Sequence, residues 1–460
     1  MKTIWIKTLG CKVNQCESEA IENALIESDA GIALCQDESA DVVVVNTCSV
    51  TSKAAMQSRQ AVRQAVRNHP GARIVVTGCH AQTAPEQFGA MDGVDLVIGN
   101  REKHRIPGRI LAQINSHPKH QTPNNTSGHR SAAQTTAQKI HCPDITKTTL
   151  FDSLPAIAQG ARTRPFLKIQ DGCNAFCTYC IVPHARGRSR SLEVDQVLRQ
   201  IQQLGQSGYK EVVLTGIHIG CYGQDLTPKT ALPDLLWRIR EAGNIDRVRL
   251  SSIEPAELSN AIIQMAAEKE RVRGSLCPHF HIPLQSGDND ILQRMHRPYT
   301  KEYFSDLIFR IVERIPTAAI GVDTLIGFPG ETTGAFENSF ELIRSLPIAY
   351  LHVFPFSPRE GTPAYTYEDQ IHSRVIKDRC KQMRRLGQDK RTSFYGRFIE
   401  QTVNVLVEER RDKDSGLLKG ITNNYVPVRF EGPDKWVNSF QRVNMLRIAA
   451  DGVPEGKRIK

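Results

Sequence analysis

Three cysteines in one short segment carry the strongest chemical signal in the sequence. Cys173, Cys177 and Cys180 are spaced C-x3-C-x2-C within DGCNAFCTYCIVP. Three thiolates on one loop can bind three irons of a 4Fe-4S cube and leave the fourth iron open to a chelating amine and carboxylate. The competing interpretations are a zinc site, which prefers four protein ligands and would have His184 nearby, and a structural group of thiols. The spacing favours the iron–sulfur cluster.

Three more cysteines each follow a predicted strand. Cys11, Cys48 and Cys79 occur in TLGC, NTC and TGC. The carboxyl ends of parallel strands share one edge of a sheet, so we expect these three thiols to lie close to one another. Buried cysteines are common, but the matching positions favour a second ligand set. Cys16 is either an extra ligand or, as we favour, a buried thiol.

Alternating strands and helices must position both sets of cysteines. Residues 1–112 predict an N-terminal α/β open sheet with strands at 3–8, 41–46 and 73–77, and helices at 17–26, at 52–68 and after Pro85. Residues 113–160 are polar and predict a linker. Their histidines could suggest a metal site, but a solvated linker is favoured.

Residues 161–392 predict a partial (β/α)6 barrel, with chemistry at the carboxyl ends of its strands. The predicted strands are 166–170, 211–215, 247–251, 279–284, 320–326 and 350–356. The predicted helices include 192–204, 256–269 and 368–392. Residues 393–450 read as short alternating strands, which indicate a small antiparallel β-barrel.

Composition sets the broad class of the protein. The chain has 460 residues, 23% of them charged, and a formal net charge of +10. No stretch approaches the roughly 18 apolar residues of a membrane span, and the N-terminus lacks the apolar run of a signal peptide, so a soluble, cytoplasmic protein without a membrane partner is expected. The basic excess favours a polyanionic partner, although many basic proteins have none.

The sequence resembles the radical S-adenosylmethionine methylthiotransferase family over about residues 1–450. The matching segments include TLGCKVNQCESE, NTCSVTSKA, VVTGCHAQ, LKIQDGCNAFCTYCIVPHARGRSRS, HFHIPLQSGDNDILQRMHRPYT and DTLIGFPGET. The resemblance implies a methylthiotransferase N-domain, a radical barrel and a C-terminal TRAM-like RNA-binding barrel. It also implies S-adenosylmethionine and two 4Fe-4S clusters, one on Cys173, Cys177 and Cys180 and an auxiliary one on Cys11, Cys48 and Cys79.

The implied reaction inserts a methylthio group at C2 of an adenosine in tRNA. S-adenosylmethionine would serve as methyl donor and as radical source, because general acid–base help is too weak to activate an aromatic C–H bond. An external electron donor and a sulfur source are also implied. Lys12-Val13-Asn14 resembles the branch that acts on N6-threonylcarbamoyladenosine at position 37, in the anticodon stem-loop. The alternatives are isopentenyladenosine in tRNA, an aspartate of a ribosomal protein, and a non-catalytic RNA-binding iron–sulfur protein.

Polar residues at the predicted strand ends are candidate cofactor contacts. For some of them the alternative is an ordinary turn or helix cap. His218 and His281 are weaker candidates. The candidate set is Tyr179, Thr215, Gly216, Ser251, Glu254, Gln285, Asp323, Gly327 and Glu331.

Contacts with tRNA are expected from basic and aromatic side chains. Residues 374–397 contain nine basic residues against two aspartates and could bind phosphates or form a solvated helix face. Tyr425, Phe430 and Trp436 could stack on bases or belong to the core. The arginines of HARGRSRS could bind RNA phosphates, hold the cofactor carboxylate, or only solvate the loop. They are Arg186, Arg188 and Arg190.

Overall fold

A computed structural model describes residues 2–28, 32–35, 40–116, 139–152, 162–268 and 273–459. The chain divides into two compact units. The first, which we call the N-terminal unit, comprises Met1–Ala158, Gln170–Leu192 and Ser357–Thr362. The second, which we call the barrel unit, comprises Gln159–Ile169, Glu193–Phe356 and Pro363–Lys460.

A six-stranded parallel sheet forms the centre of the N-terminal unit. In spatial order its strands are Ile32–Leu34, Lys2–Thr8, Val42–Thr47, Arg73–Gly78, Leu96–Ile98 and Ile140–His141. Its central strand, VVVVNT, is buried along its whole length, as expected for a parallel strand covered on both faces. The predicted α/β open sheet is therefore confirmed.

Helices flank this sheet and the loop that follows it. The α-helices of the N-terminal unit are Lys12–Ile26, Ser52–Asn68, Cys79–Thr83, Pro85–Gly89, Ile106–Ser116 and Val182–Arg186, with 3-10 turns at Asn100–Arg105 and Ile145–Lys147. The short strands Gln170–Asp171 and Arg190–Ser191 pair antiparallel and close the base of the cysteine loop.

The barrel unit contains parallel strands at all six predicted positions, and the partial barrel is confirmed. Its strands form one sheet of four and one of three, joined by a single bridge between Ser252 and His281. The strands are Phe166–Lys168, Glu211–Thr215, Arg247–Leu250 and Ser275–Leu276, then His279–Gln285, Ala319–Ile326 and Tyr350–Pro355. The α-helices are Val194–Gln206, Leu232–Ala242, Asn260–Ala267, Asn289–Arg294, Lys301–Arg314, Thr333–Ser345 and Ser373–Gly396, with 3-10 turns at Ile219–Cys221, Pro255–Glu257, Pro363–Thr366 and Asp434–Trp436.

The C-terminal part of the barrel unit is a closed five-stranded barrel, as the predicted small barrel required. Its strands are Thr402–Val407, Leu418–Thr422, Pro427–Phe430, Phe440–Ile448 and Pro454–Arg458. It joins the beginnings of the parallel strands, where Arg249 donates to the carbonyl of Asn423 at 2.9 Å and binds Glu211 at 2.7 Å. Glu211 is fully buried; burial opposes its ionisation, but the charges of Arg249 and Arg164 outweigh burial and lower its pKa.

Several element boundaries differ from the predicted ones for local reasons. The first helix begins at Lys12 rather than residue 17, which makes Cys11 its N-cap residue. The helix predicted at 256–269 is a 3-10 turn followed by a helix from Asn260, because the hydroxyl of Ser259 caps that helix by accepting from the Ile262 amide. The helix predicted at 192–204 is Val194–Gln206, and the long helix predicted at 368–392 is Ser373–Gly396.

Several strands were not predicted, among them Ile32–Leu34, Leu96–Ile98, Ser275–Leu276, Ile140–His141 and Pro454–Arg458. Ile140–His141 lies inside the segment interpreted as a linker and adds an edge to the N-terminal sheet. Most of that segment lies outside the described residues, as do its histidines before His141. Pro454–Arg458 lies beyond residue 450 and closes the C-terminal barrel, pairing with Phe440–Ile448. Within the described parts of the chain, no helix is both long and apolar enough to cross a membrane.

Candidate functional site

Cys11, Cys48 and Cys79 follow three adjacent strands of the N-terminal sheet. The strands Lys2–Thr8, Val42–Thr47 and Arg73–Gly78 are hydrogen-bonded neighbours and run parallel, so their carboxyl ends lie at one edge. All three cysteines are free thiols. We call them the strand-end trio.

The thiols of the strand-end trio lie close enough to influence one another electrostatically. Burial, together with the neighbouring Cys79 and Cys11, raises the pKa of Cys48 to about 11. The pKa of Cys11 is also raised, by the protein around its sulfur and by Cys79, although the residue itself reaches the surface. If these thiols ionised they would repel one another, and a bound cation would relieve that repulsion, so this donor set fits a metal cluster.

Close backbone approach at Gly10 brings the first two strand ends together. Gly10 has a φ of +101°, and a Cβ built there would lie 2.9 Å from the Cβ of Cys48. A side chain at position 10 would therefore collide with Cys48, and only glycine fits there.

Cys173, Cys177 and Cys180 lie on the loop between Gln170–Asp171 and Arg190–Ser191, and we call them the loop trio. The amide of Cys173 donates to the Gly187 carbonyl at 3.0 Å, and the amide of Cys180 donates to the Cys177 carbonyl at 3.0 Å. This loop belongs to the N-terminal unit. One compact unit therefore carries both trios.

Arg186 ties the loop to the strand-end trio. It is fully buried, its Nε donates to the Cys79 sulfur at 3.3 Å, and its Nη1 contacts Glu17 at 2.5 Å. Burial opposes the charge of Arg186, but Cys79, Glu17 and Asp171 outweigh it and raise the arginine pKa well above its usual value.

Asn100 makes a second tie of the same kind. Its side-chain amide donates to the Ala185 carbonyl at 2.7 Å and lies 3.8 Å from the Cys79 sulfur. Two donors from different elements therefore meet at one sulfur, as at cluster ligands whose negative charge is stabilised.

This role of Arg186 was not predicted from the sequence. Arg186 and Arg190 were expected to bind phosphates, hold the cofactor carboxylate or only solvate the loop, but both are buried, and Arg190 donates to the Arg186 carbonyl at 3.0 Å. A phosphate-binding role is therefore wrong for these two side chains, whereas Arg188 is exposed. The sequence feature that could have indicated a buried Arg186 is the presence of two acidic residues, Glu17 and Asp171, each near a cysteine motif.

Cys16 and Tyr179 flank the two trios. Cys16 is buried in the helix Lys12–Ile26. Tyr179, the predicted cofactor contact, is half-buried between Cys177 and Cys180. Phe176 precedes Cys177 with a φ of +47° and is 48% exposed, an uncommon conformation for an aromatic residue.

In the barrel unit, Thr215, Gly216 and Ser251 lie at the carboxyl ends of two adjacent strands. Thr215 is buried as the last residue of its strand. The Ser251 hydroxyl is buried and has no hydrogen-bond partner among the described residues. An unsatisfied buried hydroxyl at a strand end fits a bound polar ligand.

Glu254, Gly327 and Glu331, three of the other predicted contacts, already have partners inside the protein. Glu254 pairs with Arg297; burial raises its pKa, and Arg297 opposes that shift. The Glu331 carboxylate accepts from the Gly327 amide at 3.1 Å and from Arg379 at 2.7 Å. Burial raises the pKa of Glu331 to about 7 despite those bonds. The contacts of Glu331 brace the turn after the strand Ala319–Ile326.

Asp323 lies inside the barrel beside two histidines. It contacts His281 Nε2 at 2.6 Å and His352 Nδ1 at 3.2 Å. Burial opposes its ionisation, but these hydrogen bonds lower its pKa to about 2. Gln285, at the end of the neighbouring strand, has a φ of +66°.

The candidate RNA contacts fall into two groups, packed aromatic side chains in the C-terminal barrel and exposed basic side chains on a helix. Phe430 lies in the core of the C-terminal barrel, and Tyr425 stacks on His279 with ring centroids 4.2 Å apart. The ring of Trp436 is covered by Arg458. On the helix Ser373–Gly396, Arg379 is buried, whereas an exposed basic face remains, formed by Arg374, Lys377, Lys381, Arg384, Arg385 and Arg391.

Comparison with known proteins adds independent evidence. Residues 3–99 match the model described as "Uncharacterized protein family UPF0004", and residues 167–343 match the Radical SAM superfamily. A threonylcarbamoyladenosine tRNA methylthiotransferase MtaB from Bacillus subtilis is 35% identical over 97% of this chain and 94% of its own length. The chain belongs to the radical S-adenosylmethionine methylthiotransferase family.

Another MtaB, from Aquifex aeolicus, is 34% identical over 93% of this chain and 96% of its own length. The fold also resembles a solved radical S-adenosylmethionine methyltransferase, TsrM from Kitasatospora setae, with a TM-score of 0.54 and 14% identity over 79% of this chain and 74% of that one. As a member of this family, the protein is an enzyme that uses S-adenosylmethionine and an iron–sulfur cluster.

Proposed function

We propose that this methylthiotransferase inserts a methylthio group at C2 of N6-threonylcarbamoyladenosine at position 37 of tRNA. The curated relatives named above carry that activity in their names. The observation that carries the proposal is the placement of both cysteine trios in one compact unit, tied by Arg186 to Cys79.

Each trio would hold one 4Fe-4S cluster through three thiolates and leave one iron open. The loop trio would hold the cluster that binds S-adenosylmethionine, and the strand-end trio the cluster that carries the sulfur. When bound, these groups supply a carbon radical and a transferable methylthio group. Arg186 and Asn100 stabilise negative charge on Cys79 by donating hydrogen bonds to its sulfur.

Within the barrel unit, residues at the carboxyl ends of the strands are the candidate contacts for polar groups of S-adenosylmethionine. Ser251 offers a hydroxyl with its hydrogen-bonding capacity unused, and Gly216 permits close backbone approach beside Thr215. The Glu331–Arg379 and Glu254–Arg297 pairs would hold the loops at these strand ends rather than contact the cofactor.

The exposed basic face of the helix Ser373–Gly396 would bind phosphates and position the anticodon stem-loop. An external reductant must supply electrons, and a separate sulfur source must replenish the sulfur that each product carries away.

The nucleoside profile of a strain lacking this gene tests the target. We expect the 2-methylthio derivative of threonylcarbamoyladenosine to disappear, the unthiolated nucleoside to accumulate, and an active plasmid copy to restore the profile. A Cys177→Ala copy is the matched negative control. Loss of 2-methylthio-isopentenyladenosine instead, with the threonylcarbamoyl profile unchanged, would overturn the assignment.

A further inference from the structure

Two short turns in the barrel unit bring a histidine, a cysteine and a glutamate together outside both cysteine trios. The 3-10 turn Ile219–Cys221 follows the strand Glu211–Thr215, and the 3-10 turn Pro255–Glu257 follows the neighbouring strand Arg247–Leu250. The first turn carries His218 and Cys221, and the second carries Glu257.

The three side chains converge on one carboxylate oxygen. His218 Nε2 lies 2.6 Å from Glu257 Oε1, and the Cys221 sulfur lies 3.3 Å from the same oxygen. The Cys221 sulfur is also 3.7 Å from His218 Nδ1. One donor atom from each residue lies within 4.8 Å of the other two, which is close enough to share an ion.

The other carboxylate oxygen of Glu257, Oε2, is buried and accepts no hydrogen bond from the described residues. The loop also packs tightly against it, because a Cβ at Gly220 would lie 1.9 Å from Oε2. A buried carboxylate oxygen without a donor is costly, and a bound cation would remove that cost.

We propose that His218, Cys221 and Glu257 form a zinc site. Imidazole, thiolate and carboxylate are the protein ligands that zinc takes, and zinc binds such sets more tightly than ferrous iron does. Three protein ligands leave a fourth position for water or a small anion. The side chains of His218 and Glu257 are 11% and 20% exposed, so solvent reaches this position.

Zinc-edge X-ray absorption of the anaerobically prepared, iron-loaded enzyme, given one equivalent of zinc and then dialysed, tests the site. Iron has its own edge at lower energy and adds only a smooth background at the zinc edge, so bound iron can stay in place. We expect about one zinc per chain, with a single sulfur at about 2.3 Å and nitrogen or oxygen neighbours at about 2.0–2.1 Å. Zinc in an empty cysteine trio would show three sulfurs instead.

Cys221→Ala should remove the sulfur neighbour and lower retained zinc at least about tenfold, and His218→Gln should lower it similarly. Cys380→Ala is the matched control, because it removes a buried thiol of the same unit that belongs to neither turn. Wild-type enzyme that retains no zinc, or zinc whose sulfur neighbour persists in Cys221→Ala, would overturn the proposal. Neither result depends on which nucleoside the enzyme modifies.

Discussion

The two cysteine trios of the N-terminal unit are built in opposite ways. The three cysteines of the loop trio lie within eight consecutive residues, from Cys173 to Cys180, and backbone hydrogen bonds shape their loop. The strand-end trio spans positions 11 to 79 and exists only because three strands pair in one order. A local trio depends on its own turns, whereas an assembled trio depends on the register of a whole sheet.

The trios also differ in the charged groups around them. The strand-end trio adjoins a buried network in which Arg186 binds Cys79, Glu17 and Asn14. This network includes Lys103, which contacts Glu17 at 2.5 Å. Burial lowers the pKa of Lys103, although the charge of Glu17 opposes that shift. The proposed cluster on the strand-end trio would therefore be sensitive to residues distant in sequence, whereas a cluster on the loop trio would depend on nearby ones.

The largest effect is expected from Cys177→Ala. It removes one thiol of the loop trio, and the proposed cluster there would lose a ligand. Formation of 5′-deoxyadenosine should fall by on the order of 10³-fold or more, because the cofactor carries the chemistry. About four of the roughly eight irons should remain. Quantification of deoxyadenosine and iron under anaerobic conditions checks both. Retained deoxyadenosine formation would contradict the assignment of the loop trio.

Cys48→Ala should produce the converse phenotype. Methylthio product should fall to background, while deoxyadenosine formation stays within about threefold of wild type, because the loop trio keeps all its thiols. Measurement of both products in one reaction tests this. If the Cys48 and Cys177 variants behaved alike, the proposed division of labour would be wrong.

Arg186→Met should destabilise the unit that carries both trios. Removing this buried cation leaves Glu17 with Lys103 and Asp171 with Arg190 as charged partners, at a cost of about 3–5 kcal/mol. We expect a lower thermal midpoint and, in the material that folds, an altered electron paramagnetic resonance signal of the strand-end cluster. Arg188→Met removes an exposed arginine two residues away and should change neither quantity. Equal behaviour of the two variants would show that the buried network is not specific.

Gly10→Ala should have the smallest effect of this series. The backbone there has a positive φ, and the new methyl group would press on Cys48, with a strain of about 1–3 kcal/mol. We expect partial loss of iron from the strand-end trio and lower product yield, with deoxyadenosine within about twofold. Gly71→Ala is the control, because nothing lies within 4 Å of a Cβ there. Normal iron content in Gly10→Ala would mean that the close approach at Gly10 is not required.

Sequence alone was sufficient for the features that follow local pattern. The apolar run VVVV at 42–45 predicted a buried parallel strand, and the strand ends predicted where Cys11, Cys48 and Cys79 meet. The family resemblance was confirmed because it rested on long motifs distributed along the whole chain.

The features that sequence missed depend on tertiary partners. Nothing local distinguishes buried Arg186 from exposed Arg188, because only the docking of Glu17 and Cys79 makes the difference. Phe430 and Tyr425 read equally well as base-stacking or packed residues until their neighbours are known. The Glu331–Arg379 pair, 48 residues apart, likewise has no signature in the sequence.

In vitro turnover is the most direct test of the central claim that two clusters on two cysteine trios methylthiolate tRNA. Reconstituted enzyme would be incubated anaerobically with S-adenosylmethionine, a reductant and tRNA that carries threonylcarbamoyladenosine, and its nucleosides analysed by mass spectrometry. The proposal predicts that a methylthio group replaces one hydrogen of that nucleoside and that 5′-deoxyadenosine is released. Abundant deoxyadenosine with the nucleoside unchanged, from enzyme containing about eight irons per chain, would contradict it.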